Sequence, residues 1–167
     1  MAEKDKLFSS KIKYNGIFNF GEFYKFCFEW LRDEVGLDLI EDKYAEKLSG
    51  DSKNIDVEWS GSRKITDYFK MEVKVTFRVI GLTSVEISQG GAKLKTNKGS
   101  VEVSIKGTLV KDYGNKFEKS GFQKMLRGIY EKTVIPSRVN QYEEKVMKDC
   151  DEFLAQAKAY LDLEGKK

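Results

Sequence analysis

The stretch Phe69-Lys70-Met71-Glu72-Val73-Lys74-Val75-Thr76-Phe77-Arg78-Val79 decides the fold. Apolar and polar residues alternate through it without a break, and successive side chains of an extended chain point to opposite faces. Phe69, Met71, Val73, Val75, Phe77 and Val79 are therefore expected to face a core, while Lys70, Glu72, Lys74, Thr76 and Arg78 face water. At ~3.3 Å per residue such a strand runs about 40 Å, a length that predicts a twisted or curved sheet.

Working outward, Gly81 is expected to end this strand. A shorter strand through Val85 and Ile87 follows, then a Gly90-Gly91 turn, a piece around Leu94, a turn at Asn97-Lys98-Gly99, and a strand from Ser100 to Lys111. In the last of these Val101, Val103, Ile105 and Leu109 alternate again, and the short connections imply an antiparallel meander. Upstream, Leu37 to Leu48 and Asn54 to Lys64 read as a hairpin across Gly50-Asp51-Ser52, with Ile55, Val57 and Trp59 on one face. A first strand is expected over Lys11 to Phe18, behind a flexible segment 1–10. Between them lies a helix with Asn19 as N-cap, Glu22 three residues on, and Gly36 as its stop. Its polar stripe, Glu22, Lys25, Glu29 and Arg32, is narrow, and Phe20, Phe23, Tyr24, Phe26, Cys27, Phe28, Trp30 and Leu31 cover an apolar arc wide enough for two partners.

The end of the chain is helical. Ser120 with Gln123 signals a helix whose apolar face is Phe122, Met125, Leu126, Ile129 and Tyr130, up to Pro136. Beyond it, Val139, Tyr142, Val146, Cys150, Phe153, Ala157 and Leu161 recur at three- and four-residue steps, which predicts a long helix over Ser137 to Glu164. The expected class is α+β: one domain over 1–167, with a curved antiparallel sheet of about six strands packed on a long C-terminal helix and one helix inserted after the first strand.

Composition narrows the function. The chain has 167 residues, 34% of them charged and 40% hydrophobic, and its single proline and 14 glycines exclude disordered and collagen-like classes. Histidine is absent, which removes His-based nucleophile systems, His metal ligands and a His pH switch. The two cysteines, Cys27 and Cys150, lack the paired spacing of a zinc site or redox motif and read as buried thiols. No metal site, cofactor or catalytic residue is expected. Adjacent acids such as Glu41-Asp42 and Glu143-Glu144 diverge instead of converging on a cleft, and Asp149, Asp151 and Glu152 read as a solvated helix face. Gly90-Gly91 lacks the Gly-Lys-Ser/Thr ending of a phosphate-binding loop. A charged N-terminus and the lack of any run near ~20 apolar residues predict a cytoplasmic protein without a membrane span.

The order strand, helix, meander and long C-terminal helix resembles the helix-grip fold of the START-like lipid-carrier superfamily. That resemblance implies a sheet wrapped on the last helix, often with a cavity for a hydrophobic ligand between them. The stretches Arg63-Lys64-Ile65-Thr66-Asp67-Tyr68-Phe69, Lys111-Asp112-Tyr113, Arg127-Gly128-Ile129-Tyr130 and Ile135-Pro136-Ser137-Arg138 also look like those of small archaeal proteins to which no activity is attached.

Apolar ligands bind through surface removed from water, and a few polar groups choose the pose. The expected wall of such a site is Phe26, Phe28 and Trp30 from the first helix, Trp59 and Phe77 from the sheet, and Phe153 from the last helix, with Tyr68 or Tyr142 offering a hydroxyl. The same residues would serve a solid core. A non-enzymatic binder of a hydrophobic small molecule is the first reading, and a protein-interaction or assembly module, including a homodimer, is the second. Nucleic acid ranks lower. Lys93, Lys95, Lys98 and Lys106 are its best candidates, but the +3 net charge is small and Glu72 and Glu102 interrupt the polar faces of the long strands.

Overall fold

The computed structural model describes residues 3–66, 68–111 and 136–165. Five strands, β1 (Glu3–Phe18), β2 (Asp38–Ser49), β3 (Ser52–Lys64), β4 (Phe69–Gln89) and β5 (Ala92–Lys111), form one antiparallel sheet in the order β1-β5-β4-β3-β2. Helix α1 (Phe20–Trp30), extended by a π-helical turn Leu31–Val35, follows β1, and helix α2 (Pro136–Gly165) closes the chain. Since β1 and β2 lie at opposite edges, α1 carries the chain from one side of the sheet to the other. The helix expected over 120–136 lies outside the described residues, apart from Pro136 at the head of α2.

Local chemistry explains the ends of α1. The Asn19 side chain accepts a hydrogen bond from the Glu22 N–H at 3.0 Å, and the Asn97 side chain, reaching from β5, accepts one from the Phe20 N–H at 3.1 Å. Two of the four amides that a helix start leaves without partners are thereby satisfied. At the other end the π turn stops at Gly36 in the left-handed conformation, and the Arg63 guanidinium donates to the Val35 carbonyl at 2.7 Å.

The sheet has five strands where the sequence pattern suggests about six, because both expected breaks are bridged. Gly81, at φ +66°, makes a bulge and β4 runs on to Gln89. Opposite it, β5 passes through Asn97-Lys98-Gly99 without interruption. A positive φ is open to glycine at little cost and gives either a turn or a bulge. β1 also begins at Glu3 and not at Lys11, so residues 3–10 pair with β5 where a free segment was expected.

One face of the sheet carries the core. Rows run straight across it: Val57, Phe77, Val103 and Ile12 in one, Gly61, Val73, Gly107 and Phe8 in another. Val146, Cys150, Phe153, Ala157 and Leu161 bring α2 down on β1 and β5. Phe23, Cys27 and Leu31 bury α1 beside it. Asp149, expected in water, is buried at 5% exposure, with Oδ1 held by Lys145 Nζ at 2.9 Å. α2 lies tight on Gly107, where an added Cβ would lie 2.6 Å from Cys150 Sγ and 3.1 Å from a Val146 methyl.

Gly107→Ala is therefore expected to destabilise the fold by about 1–3 kcal/mol through overpacking. Urea unfolding checks it, and Gly107→Ala combined with Cys150→Ala should lose less than the sum of the two single changes.

Candidate functional site

The aromatic side chains expected to line a site gather on the helix-covered face of the sheet. Trp59, Phe77 and Phe153 are buried at 0–1% exposure, Tyr68 at 5%, and Phe26, Phe28, Trp30 and Tyr142 are half-buried. Seven of the eight fall into three groups. Trp59 meets Phe77 at 4.8 Å between ring centroids and takes the edge-to-face contact of Phe28 at 5.4 Å. Trp30 meets Phe153 at 6.1 Å, joining α1 to α2. Tyr68 and Tyr142 both pack on Phe69, at 4.9 and 5.1 Å. Phe26 reaches none of the other seven and stacks on Tyr160 of α2 at 4.7 Å.

Four residues missing from the expected set, Phe23, Tyr24, Tyr44 and Tyr160, complete the cluster. Phe23 bridges Phe77 and Tyr160, at 5.9 and 5.7 Å, and so connects the Trp59 group to α2. Tyr24 meets Trp59 edge-to-face at 5.0 Å and Tyr44 at 6.1 Å. The signal for Phe23 and Tyr24 was present in the apolar arc of α1. Tyr44 and Tyr160 gave none, because nothing in the sequence says which positions of β2 and α2 lie opposite that arc.

Polar groups at this cluster sit at its β2 margin. The Tyr24 hydroxyl donates to Glu41 and the Tyr44 hydroxyl to Glu46, the latter at 2.8 Å. Burial, followed by the hydrogen bond to Glu41, pushes the Tyr24 phenol up to about 12, although the nearby Trp59 indole opposes the rise. Burial and the bond to Glu46 do the same for Tyr44, also to about 12. Both phenols stay neutral donors at physiological pH. The Trp59 indole N–H is different: Nε1 is buried without a well-formed hydrogen bond, reaching only weakly towards the Tyr24 phenol. Leaving such a donor unpaired costs about 1–3 kcal/mol.

The thiols are poorly placed for nucleophilic chemistry. Burial raises Cys27 well above the ordinary thiol range, and burial with the Asp149 charge raises Cys150 to about 12. Among the described residues no group of three Cys, Asp or Glu side chains could hold a metal ion, and no helix is long and apolar enough to cross a membrane.

The opposite face of the sheet has no helix on it among the described residues. Open hollows of about 430, 390 and 260 Å³ lie there, lined chiefly by charged and hydroxyl side chains. No protein-family model matches the chain, and no curated protein is significantly similar to it.

Replacing Trp59 separates its ring from its N–H. Trp59→Phe is expected to keep stability within about 1 kcal/mol, because the lost ring volume is offset by removal of a poorly paired donor, whereas Trp59→Ala should cost about 3–5 kcal/mol. Chemical denaturation of the two variants beside the parent checks the difference.

Proposed function

We propose that the protein is a non-enzymatic binder of a hydrophobic small molecule that carries a hydrogen-bond acceptor, taken up at the aromatic cluster between α1, α2 and the sheet. The observation that carries this reading is the Trp59 indole, a donor at 0% exposure inside a wall of rings whose Nε1 makes no well-formed hydrogen bond and reaches only weakly towards the Tyr24 phenol. Ligand sites are mostly apolar with a few polar groups that fix orientation, and an acceptor brought to Nε1 would give this buried donor a good partner. Half-buried Phe26, Phe28 and Trp30 provide the movable part of the wall, because rings that retain solvent contact are displaced at smaller cost than Phe77 or Phe153. The element order supports the same reading through its resemblance to the helix-grip carriers.

A second reading, a protein-interaction module, is favoured by β2. This edge strand is exposed along nearly its whole length, with Ile40 65%, Tyr44 45% and Leu48 76% accessible. Its outer backbone groups could take another chain's strand.

Native mass spectrometry of gently purified protein tests both readings. The expected result is a monomer with a small-molecule adduct that Trp59→Phe retains at least tenfold less well. An adduct-free dimer or hetero-complex overturns the binder in favour of the module.

A further inference from the structure

We propose a second site on the open face of the sheet, where Lys74, Lys106 and Lys6 bind the pyrophosphate unit of a small oligophosphate. The proposal starts from the charge pattern across the strands. Asp56, Arg78, Glu102 and Lys13 form one transverse row, alternating in sign over four strands. Its partners meet: Arg78 lies 3.8 Å from Asp56, and Glu102 takes Lys11 at 3.4 Å and Lys13 at 3.9 Å. Towards the other end of the sheet, Glu72 takes Lys4 at 3.3 Å and Lys70 at 3.8 Å.

Between these neutralised zones the row Ser60, Lys74, Lys106, Ser9 contains no carboxylate. Lys74 and Lys106 stand directly opposite each other on β4 and β5, and Lys6 on β1 lies one outward position further on, opposite Thr108. All three are exposed, and none forms an ion pair among the described residues. Like charges directly across a ladder are destabilising. The sheet has another such pair, Lys64 opposite Lys70, but there Glu72 neutralises Lys70. Only the Lys74–Lys106 pair keeps its repulsion among the described residues, and an anion seated between the two ammonium groups removes it.

The surroundings select the anion. Lys6, Lys74, Lys106 and Thr108 border the hollow of about 390 Å³, and Lys4, Asp38 and Glu72 also stand on its rim. The Ser60 hydroxyl is already committed to Asp42. Strands lie ~4.8 Å apart, so the unpaired charge covers only about 10 Å, and carboxylates stand on several sides: Glu72, Glu102, Asp38 and Asp42. A nucleic-acid backbone extended across the sheet would run into them, and no aromatic side chain stands in these rows to stack a base. A unit of two phosphoryl groups matches both the extent and the charge of the patch.

The test is the thermal midpoint in millimolar inorganic pyrophosphate against sodium chloride of equal ionic strength, for the parent, for Lys74→Gln/Lys106→Gln, and for a control, Lys43→Gln/Lys47→Gln, on β2. The parent and control midpoints are expected to rise by several degrees with pyrophosphate. The Lys74/Lys106 variant should lose that response while being no less stable than the parent in chloride. An equal response in that variant, or no response in the parent, overturns the proposal. So does an RNA oligonucleotide that displaces pyrophosphate at a tenfold lower phosphate concentration, which would assign the face to nucleic acid.

Discussion

How closely α2 approaches β5 sets the position of nearly everything else. The absence of a side chain at Gly107 leaves room for Cys150 and Val146 to descend onto the strand. Once they are down, the same helix face brings Phe153, Ala157 and Leu161 into the core at full burial. Densely packed interiors transmit such constraints because few voids exist to absorb a shift. The height of α2 also fixes the ledge against which α1 lies: Tyr160 receives Phe26 and Phe23, and Phe153 receives Trp30. The aromatic cluster is thus assembled from two helices that lie beside each other on one side of the sheet.

Having both helices on one side divides the sheet into two chemical environments. On the covered side, apolar rows and rings exclude water, and among the described residues two buried polar atoms, Trp59 Nε1 and Asp149 Oδ2, are left without a good hydrogen bond. On the other side, charges meet in water, where individual ion pairs contribute little but opposed like charges still have a sign. On the covered side burial raises both thiols, and the phenols beside Trp59 stay neutral donors. The two faces thus offer different chemistry, apolar on one and ionic on the other.

The class, the hairpin at Gly50, and both ends of α1 were legible in the sequence because each rests on local chemistry: Asn19 caps its own helix and Gly36 ends it. The break at Gly81 was misread for a physical reason. A bulge inserts one extra residue and changes which side chains share a face, so Val85 and Ile87, in step with Val79 by number, no longer belong to its face. In unbroken β5, Leu94 and Thr96 alternate with Ser100 and Glu102 and not with Val101. An apolar pattern that changes face looks like two strands when it is one. Among the expected site residues, periodicity separated the core side from the water side. It could not show that Phe26 would meet Tyr160 and not Trp59, nor that Lys74 would stand opposite Lys106, because both depend on partners distant in sequence.

Beyond Ser84 and Asn97, β4 and β5 continue as a ribbon in which each strand has only the other for a partner. β3 last pairs with β4 at Leu82, and β1 last pairs with β5 at Asn97. From Val85 to Thr96 the ladder is two strands wide, and a lone hairpin is marginal in water. The molecule accordingly contains two cooperative units of unequal strength joined by continuous strands. Asn97 stands at their junction, its Oδ1 accepting from Phe20 N–H while its Nδ2 donates to the Thr83 carbonyl at 3.4 Å. The ribbon can open and re-form on its own timescale, with amide exchange far faster than in the five-stranded part, while the start of α1 stays anchored at its root.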